Sequence, residues 1–348
     1  MSEDRSTGTK EPWHIYQGTG ATHDRISSLP EPPPWRRFAP SDDAGDGPST
    51  LTPTLPATVT GAAPAAMTRA RAYRPDPEVV DTVNAALYLR RPLLVTGKPG
   101  TGKTTLASSV AFELGLGPTL TWAVTSRSTL ADALYRYDAI GRLQEVNLKR
   151  DRPDDQIPEI GRYLRLGPLG TALLPWRLPR VLLIDELDKS DIDLPNDLLN
   201  VFEEGEFEIK ELARLPEDQS RVTIRTHDGG EGVVERGRVR CRAFPIVVIT
   251  SNGEREFPPA FRRRCLPLAI EPPSAEKLRL IVAAQLGDDA LAENDRLLDA
   301  FLTTRDVGDV STDQLLNLVF LTIAGRRPSP EIRERLQEVL LHPLGPTR

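Results

Sequence analysis

Short, almost uninterrupted apolar runs recur along the middle of the chain and predict strands. Each run is four or five residues long, and stretches that read as helices lie between them. The predicted strands are residues 93–96, 120–124, 181–184, 246–249 and, more weakly, 266–270. Strands that are apolar on both faces and alternate with helices are typical of a parallel sheet covered on both sides. The pattern therefore predicts an α/β fold.

The pattern changes after about residue 272, where only helices are predicted. Ser274 is placed to cap one helix, Ser311 and Gln314 form a capping box for the next, and Gly325 is expected to end it. Ser329 followed by a proline begins the last helix. We therefore expect an α/β domain over residues 73–272 and a small all-helical domain over residues 273–348.

Residues 1–72 differ from both, because they are rich in Pro, Gly, Ser, Thr and Asp and poor in large aliphatic residues. Such a segment buries too little apolar surface to offset its chain entropy, so we expect a disordered tail. Two aromatic islands interrupt it, one at Trp13 and Tyr16 and one at Trp35 and Phe38 beside a proline run. Aromatic residues next to such a run are typical of docking peptides. A plain linker that happens to contain aromatic residues is the alternative.

Residues 97–104 match the phosphate-binding pattern G-x-x-x-x-G-K-[ST], and they lie between a predicted strand and a predicted helix, as such a loop requires. The glycines let backbone N–H groups face phosphate oxygens, Lys103 supplies a positive charge, and Thr104 offers a hydroxyl to Mg²⁺. The residues expected to contact the nucleotide are Gly97, Pro99, Gly100, Thr101, Gly102, Lys103, Thr104 and Thr105. The predicted sheet is therefore that of a P-loop NTPase.

Polar residues end two later strands. The strand at 181–184 runs into Asp185 and Glu186, and the strand at 246–249 runs into Thr250, Ser251 and Asn252. With Thr104, Asp185 is expected to hold Mg²⁺, and Glu186 is expected to polarise the water that attacks the γ-phosphate. Asn252, or Thr250 as second choice, is expected to orient that water.

Arg262, Arg263 and Arg264 stand together before the last strand. They could form a solvated basic face, or they could include an arginine that stabilises the transferring phosphate of a neighbouring subunit. Arg264 is the best candidate and Arg263 the second.

An insertion between the two strands that end in polar residues has the signal of a hairpin. Residues 221–225 and 239–241 flank a Gly-rich turn at 228–232, and Arg236, Arg238 and Arg240 alternate along the chain. We expect one basic strand face, which is either a substrate contact in a pore or an ordinary solvated surface.

Composition sets outer limits. The 348 residues suffice for about two domains, and the net charge of −6 does not indicate a chain coated in nucleic acid. Two cysteines provide no disulfide framework. No stretch reaches the roughly 18 apolar residues of a membrane-spanning helix, and no secretory signal begins the chain. We expect a soluble, cytoplasmic protein without membrane contact.

The order of these motifs resembles that of an AAA+ ATPase over about residues 75–345. Within that superfamily the chain most resembles the MoxR branch, on the residues Gly167-Pro168-Leu169, on Asp185 through Ser190 and on Asn196 through Gly205. The resemblance implies ATP and Mg²⁺ as cofactors and a homo-oligomer, usually a hexameric ring with ATP between subunits. Such proteins remodel or activate protein clients, often with a von Willebrand factor A-domain partner.

One feature departs from the resemblance. The family usually carries a second sensor arginine at the start of a lid helix, and residues 310–314 have none, although Arg305 and Arg326 are nearby. Two other functions stay open beside protein remodelling: a nucleic-acid-directed motor or restriction-type NTPase, and a nucleotide-dependent scaffold. The acidic balance disfavours nucleic acid, and the intact Glu186 disfavours a scaffold without turnover.

Overall fold

The computed structural model describes residues 13–38, 64–150, 159–287, 295–307, 310–323 and 329–342. The α-helices in these parts are α1 (Pro64–Ala72), α2 (Pro77–Leu89), α3 (Lys103–Glu113), α4 (Leu130–Leu134), α5 (Ala139–Arg150), α6 (Pro168–Ala172), α7 (Leu194–Glu204), α8 (Lys210–Ala213), α9 (Pro259–Arg262), α10 (Ala275–Leu286), α11 (Asp295–Val307), α12 (Thr312–Ile323) and α13 (Pro330–Leu340). The strands are β1 (Leu93–Thr96), β2 (Leu120–Ala123), β3 (Tyr135–Tyr137), β4 (Leu164–Leu166), β5 (Val181–Asp185), β6 (Glu206–Glu208), β7 (Arg221–Arg225), β8 (Glu231–Glu235), β9 (Arg238–Arg240), β10 (Ile246–Ser251) and β11 (Leu266–Ala269).

The main sheet has five parallel strands in the order β11-β1-β10-β5-β2 and contains all five predicted strands. Successive residues of β5 point to opposite faces. Leu182 and Ile184 join one hydrophobic core cluster with α6 and α7, whereas Val181 and Leu183 join a second cluster with α2 and α3. Both faces of the sheet are therefore covered, as the continuous apolar runs predicted.

The strand order brings the predicted motifs to one edge. β10 lies between β1, which leads into the phosphate-binding loop, and β5, which carries the two acids. Because all three strands are parallel, their carboxyl ends meet, and ligands bind at this edge in open α/β sheets.

A second sheet of six strands, in the order β3-β4-β7-β8-β9-β6, packs against the first core cluster through Phe207, Ile224, Val234 and Val239. The predicted pairing in its hairpin is wrong. Residues 221–225 pair with 231–235, not with 239–241. The turn at 226–230, where Thr226 Oγ1 donates to Asp228 Oδ1, sets Arg225 opposite Glu231. Strand β9 lies between β8 and β6 and pairs with both.

The predicted basic strand face is also interrupted. Arg236 lies in the turn between β8 and β9 and pairs with Glu217 at 2.5 Å. Arg238 and Arg240 lie on β9, at 3.9 and 2.8 Å from carboxylate oxygens of Glu206. The charge of the three arginines is therefore partly balanced by carboxylates.

The N-terminal segment, residues 13–38, corrects the prediction of disorder for that part of the chain. Tyr16 is fully buried and its hydroxyl hydrogen bonds with Ser109 at 2.9 Å. The N–H groups of Ile15 and Tyr16 donate to Asn84 Oδ1 at 2.7 and 3.0 Å. Four consecutive N–H groups, those of residues 17–20, donate to the buried Glu113 carboxylate at 2.6–3.1 Å. Polar groups of α2 and α3 thus hold a segment that has few apolar residues.

The other aromatic residues of the islands have different environments. Phe38 stacks on Phe244, with ring centroids 5.0 Å apart, and Trp13 is exposed but lies beside Tyr88. Trp35 is exposed. Helix α1 also lies within the range predicted to be disordered, whereas residues 1–12 and 39–63 fall outside the described part of the chain.

Helices α10 to α13 enclose a third hydrophobic cluster around Leu278, Phe301, Leu315 and Val319. Ser274 accepts from the Lys277 N–H and Ser329 from the Ile332 N–H, so both predicted caps are present. At α12 the Ser311 N–H donates to Gln314 Oε1 at 2.7 Å, which is one half of the predicted capping box. Gly325 lies outside the described residues.

Among the described residues, none of the helices is both long enough and apolar enough to span a membrane.

Candidate functional site

The loop from Gly97 to Gly102 connects β1 to α3, which begins at Lys103. Gly100 has a φ of +75°, and a Cβ there would lie 2.5 Å from Ser311 Cβ of the helical region. A Cβ on Gly97 would lie 2.5 Å from the Ile270 carbonyl oxygen. Only glycine fits these two positions, and the loop can therefore turn its N–H groups toward the start of α3, where the helix dipole favours an anion.

Lys103 is buried at the centre of the site. Its Nζ donates to the carbonyl oxygens of Gly97 and Lys98 and to Asn252 Oδ1 at 2.7–2.9 Å. Burial lowers the pKa of this amino group, whereas Asp188, Asp185 and Glu186 act in the opposite direction. The lysine is thus a desolvated positive charge, surrounded by oxygen atoms, beside the phosphate-binding loop.

Asp185 and Thr104 lie together although 81 positions separate them in the sequence. Thr104 Oγ1 donates to Asp185 Oδ1 at 3.1 Å. The buried Thr250 hydroxyl donates to the same Oδ1 at 2.7 Å and accepts from the Glu186 N–H at 2.8 Å. Thr250 was the second choice for the water-orienting residue. Its hydroxyl holds the Asp185 carboxylate and the Glu186 backbone in place.

Glu186 stands at the end of β5 with a left-handed backbone, φ +59°. For a residue other than glycine this conformation is uncommon and is typical of functional sites. Asn252 Nδ2 donates to its Oε1 at 3.2 Å, and Lys189 Nζ donates to its Oε2 at 2.7 Å. The carboxylate is therefore oriented by Asn252, which follows β10, and by Lys189, three residues further along the chain.

Asp188 is a further residue of the site that the sequence reasoning missed. It is buried, and its Oδ2 accepts from the N–H groups of Asn252 and Glu254 at 2.9 and 3.1 Å. This carboxylate fixes the backbone that carries Asn252. The signal in the sequence was a third acid two positions after Glu186, with Lys189 following it.

These groups open into a cavity of about 420 Å³. All the predicted nucleotide contacts except Gly97 line it, together with Asp185, Glu186, Thr250 and Asn252. Tyr73, whose pKa is raised by burial and secondarily by Asp76, forms another wall, and Lys277 and Thr312 of the helical region face it. Sequence reasoning found no signal for these last three residues.

A larger cavity, of about 1600 Å³, lies between the N-terminal segment and the second sheet. Neither the phosphate-binding loop nor any of the predicted acids lines it. Size alone favours that cavity, but the convergent charged and hydroxyl groups make the smaller one the candidate functional site.

The helical region touches the phosphate-binding loop directly. Thr312 Oγ1, at the start of α12, donates to the Gly100 carbonyl at 3.0 Å. Of the two arginines near the expected second sensor position, Arg305 donates to the Pro273 carbonyl at 2.6 Å, and Arg326 lies outside the described residues.

Arg263 and Arg264 do not line the cavity of their own chain. Arg264 Nε donates to Glu203 Oε1 at 2.5 Å, and Arg263 is exposed. The structure therefore brings Asn252 and Glu186 together but leaves both arginines apart from them.

Residues 92–265, half of the chain, match the family described as AAA domain (dynein-related subfamily). The chain belongs to this family. The match runs from just before β1 to just before β11 and so contains all the residues predicted to bind the nucleotide, all the acids and all three arginines. AAA domains of this kind are AAA+ ATPase domains. No curated protein sequence matches the chain.

The donor groups of the cavity fit ATP and Mg²⁺. The glycine loop is too close to Ile270 and Ser311 to carry side chains, which leaves its N–H groups free to approach phosphates. Thr104 Oγ1 and Asp185 Oδ1 are hard oxygen donors, which Mg²⁺ prefers.

Proposed function

We propose that the chain hydrolyses ATP as a MoxR-like AAA+ protein and works as a ring, of hexameric size by resemblance, that remodels or activates protein clients. The observation that carries the proposal is the convergence of Lys103, Asp185, Glu186 and Asn252 on one cavity. These residues lie at or after the carboxyl ends of three adjacent strands, and each has a chemical group that phosphoryl transfer to water needs.

In the proposed reaction, Lys103 moves its positive charge from the Gly97 and Lys98 carbonyls to the phosphates. Mg²⁺, when bound, neutralises phosphate charge, and Thr104 and Asp185 are the residues that would hold it. Glu186 accepts the proton of the attacking water, and Asn252, which already contacts the glutamate, orients that water.

The ring proposal rests on the arginines. Arg263 and Arg264 lie outside the cavity of their own chain, so either can act on phosphate only at another copy. A protein client, and a von Willebrand factor A-domain partner, are proposed from the resemblance to the MoxR branch.

The test mixes two inactive variants, Arg264→Ala and Glu186→Gln. Each alone is expected to lose turnover, by about 10³-fold or more for the arginine. Mixed assemblies contain interfaces with both groups intact, so part of the activity is expected to return. Subunit mixing is checked with differently labelled proteins, and absence of rescue in mixed assemblies would contradict action in trans.

A nucleic-acid-directed motor is the second candidate. A basic strand face would favour this candidate, but Arg236, Arg238 and Arg240 lie beside Glu217 and Glu206, which weakens the positive field of that surface. Turnover that rises with DNA and loses this stimulation steeply with salt would favour the second candidate instead.

A further inference from the structure

Trp35 is 78% exposed, the largest value among the exposed large apolar side chains of the described residues. It stands in the short 3-10 helix Pro34–Arg36, directly before the buried Arg36. An exposed tryptophan on a fixed backbone offers a large contact area at low entropic cost, which is how hot-spot residues of interfaces bind.

Arg36 fixes this backbone on one side. Its guanidinium is buried, donates to the Phe202 carbonyl at 3.0 Å, and donates from Nε and Nη2 to the Arg90 carbonyl. It also lies over the rings of Phe38 and Phe244 at 5.4 and 5.0 Å. The backbone at Trp35 is therefore held by Arg36, while the indole itself is exposed.

The same contacts lead to Arg264. Glu203 accepts from Arg264 Nε through Oε1 at 2.5 Å, and its Oε2 lies 3.7 Å from Arg36 Nη1. Arg91 donates to the backbone carbonyls of Arg263, Arg264 and Cys265. It follows Arg90, whose carbonyl accepts from Arg36. The backbone that carries Trp35 therefore lies close to Arg263 and Arg264, and the same neighbouring residues hold both.

We propose that Trp35 docks onto a second copy of this chain, in the same subunit contact that brings Arg264 to the nucleotide cavity of that copy. This inference rests on the proposed function, because it takes the arginine to act in trans. The shared contact at Glu203 supports a second copy as the occupant. Arg36, which follows Trp35, and Arg264 lie at the same carboxylate, so a contact that takes Arg264 to another copy also brings Trp35 to that copy.

The experiment compares full-length wild type with Trp35→Ala, and uses Leu148→Ala as the control for loss of an equally exposed apolar side chain, 75% exposed on α5. Assembly is followed by sedimentation against protein concentration with Mg²⁺ and a non-hydrolysable ATP analogue, and turnover is measured over the same concentrations. Trp35→Ala is expected to raise the concentration for half-maximal assembly and turnover by roughly 30-fold, the size of a hot-spot loss. Leu148→Ala is expected to behave as wild type.

A second measurement does not depend on the substitution. Acrylamide quenching of tryptophan fluorescence in wild type is expected to fall on assembly, since Trp35 is the most exposed of the four tryptophans, and to stay unchanged in Trp35→Ala. Thermal unfolding of both variants checks that the fold is retained.

The outcomes separate the two proposals. If wild type assembles and Trp35→Ala assembles at the same concentration, or Trp35 stays quenchable in the assembly, the docking inference is overturned and the ring stands. If wild type neither assembles nor shows concentration-dependent turnover, the ring and the inference both fail.

Discussion

Thr250 links the two acids of the site through a single buried hydroxyl. It donates to Asp185 Oδ1 and accepts from the Glu186 N–H, so the carboxylate proposed to hold Mg²⁺ and the backbone of the residue proposed to activate water share one support. Residues that orient metal ligands through hydrogen bonds typically change activity by 10- to 100-fold when removed. Thr250 is not among the residues predicted to contact the nucleotide, but removal of its hydroxyl is nevertheless expected to lower turnover.

Thr250→Val, which keeps the shape and removes the hydroxyl, is expected to lower turnover about tenfold and to raise the Mg²⁺ concentration for half-maximal turnover. Thr250→Ser restores the hydroxyl and is the matched control, with turnover expected near wild type. Magnesium titrations of steady-state hydrolysis make the measurement. Equal magnesium dependence in the valine and serine variants would show that the hydroxyl does not support Asp185.

At the residue scale, sequence reasoning found the groups whose type and spacing are set by phosphate chemistry. The placement of Lys103, Asp185, Glu186 and Asn252 follows from strand ends and one loop, which are local features. Asp188 was not predicted, because it accepts a hydrogen bond from the backbone of Asn252, which is distant in the sequence. No local pattern encodes such a contact.

Among elements, the N-terminal segment shows where composition misleads. Its buried apolar residues are few, Ile15, Tyr16 and Ile26 among them, and polar side chains on two distant helices supply the rest of its anchorage. The five strands were predictable because continuous apolar runs need no distant partner to be recognised. The pairing of β7 with β8 was not, because the turn that sets its register depends on Thr226 and Asp228 contacts within the loop.

Glu113→Ala is expected to lower the free energy of unfolding by about 3 kcal/mol, because it leaves one buried and three half-buried N–H groups without their acceptor. Urea unfolding followed by circular dichroism measures the change. Glu78→Ala removes an exposed acid of α2 and is the control, with a change within about 0.5 kcal/mol expected. If both variants unfold at the same urea concentration, Glu113 does not hold the N-terminal segment.

For the whole molecule, the cavity joins parts that lie far apart along the chain. Tyr73 precedes the sheet, the acids follow its strands, and Thr312 comes from the helical region and contacts Gly100. The order of motifs predicted the α/β core and the helices behind it. The walls contributed by Tyr73 and Thr312 depend on how these parts pack together, which neither motif nor periodicity specifies.

The central claim is that one cavity binds ATP through Lys103 and hydrolyses it through Glu186. The direct test measures ATP affinity and steady-state turnover for Lys103→Ala and Glu186→Gln in parallel. Lys103→Ala is expected to lose affinity by at least about tenfold, because a buried charge that meets the phosphates is removed. Glu186→Gln is expected to keep affinity and lose turnover by about 100-fold or more, since only the proton acceptor is lost. Wild-type turnover in Glu186→Gln, or wild-type affinity in Lys103→Ala, would contradict the account.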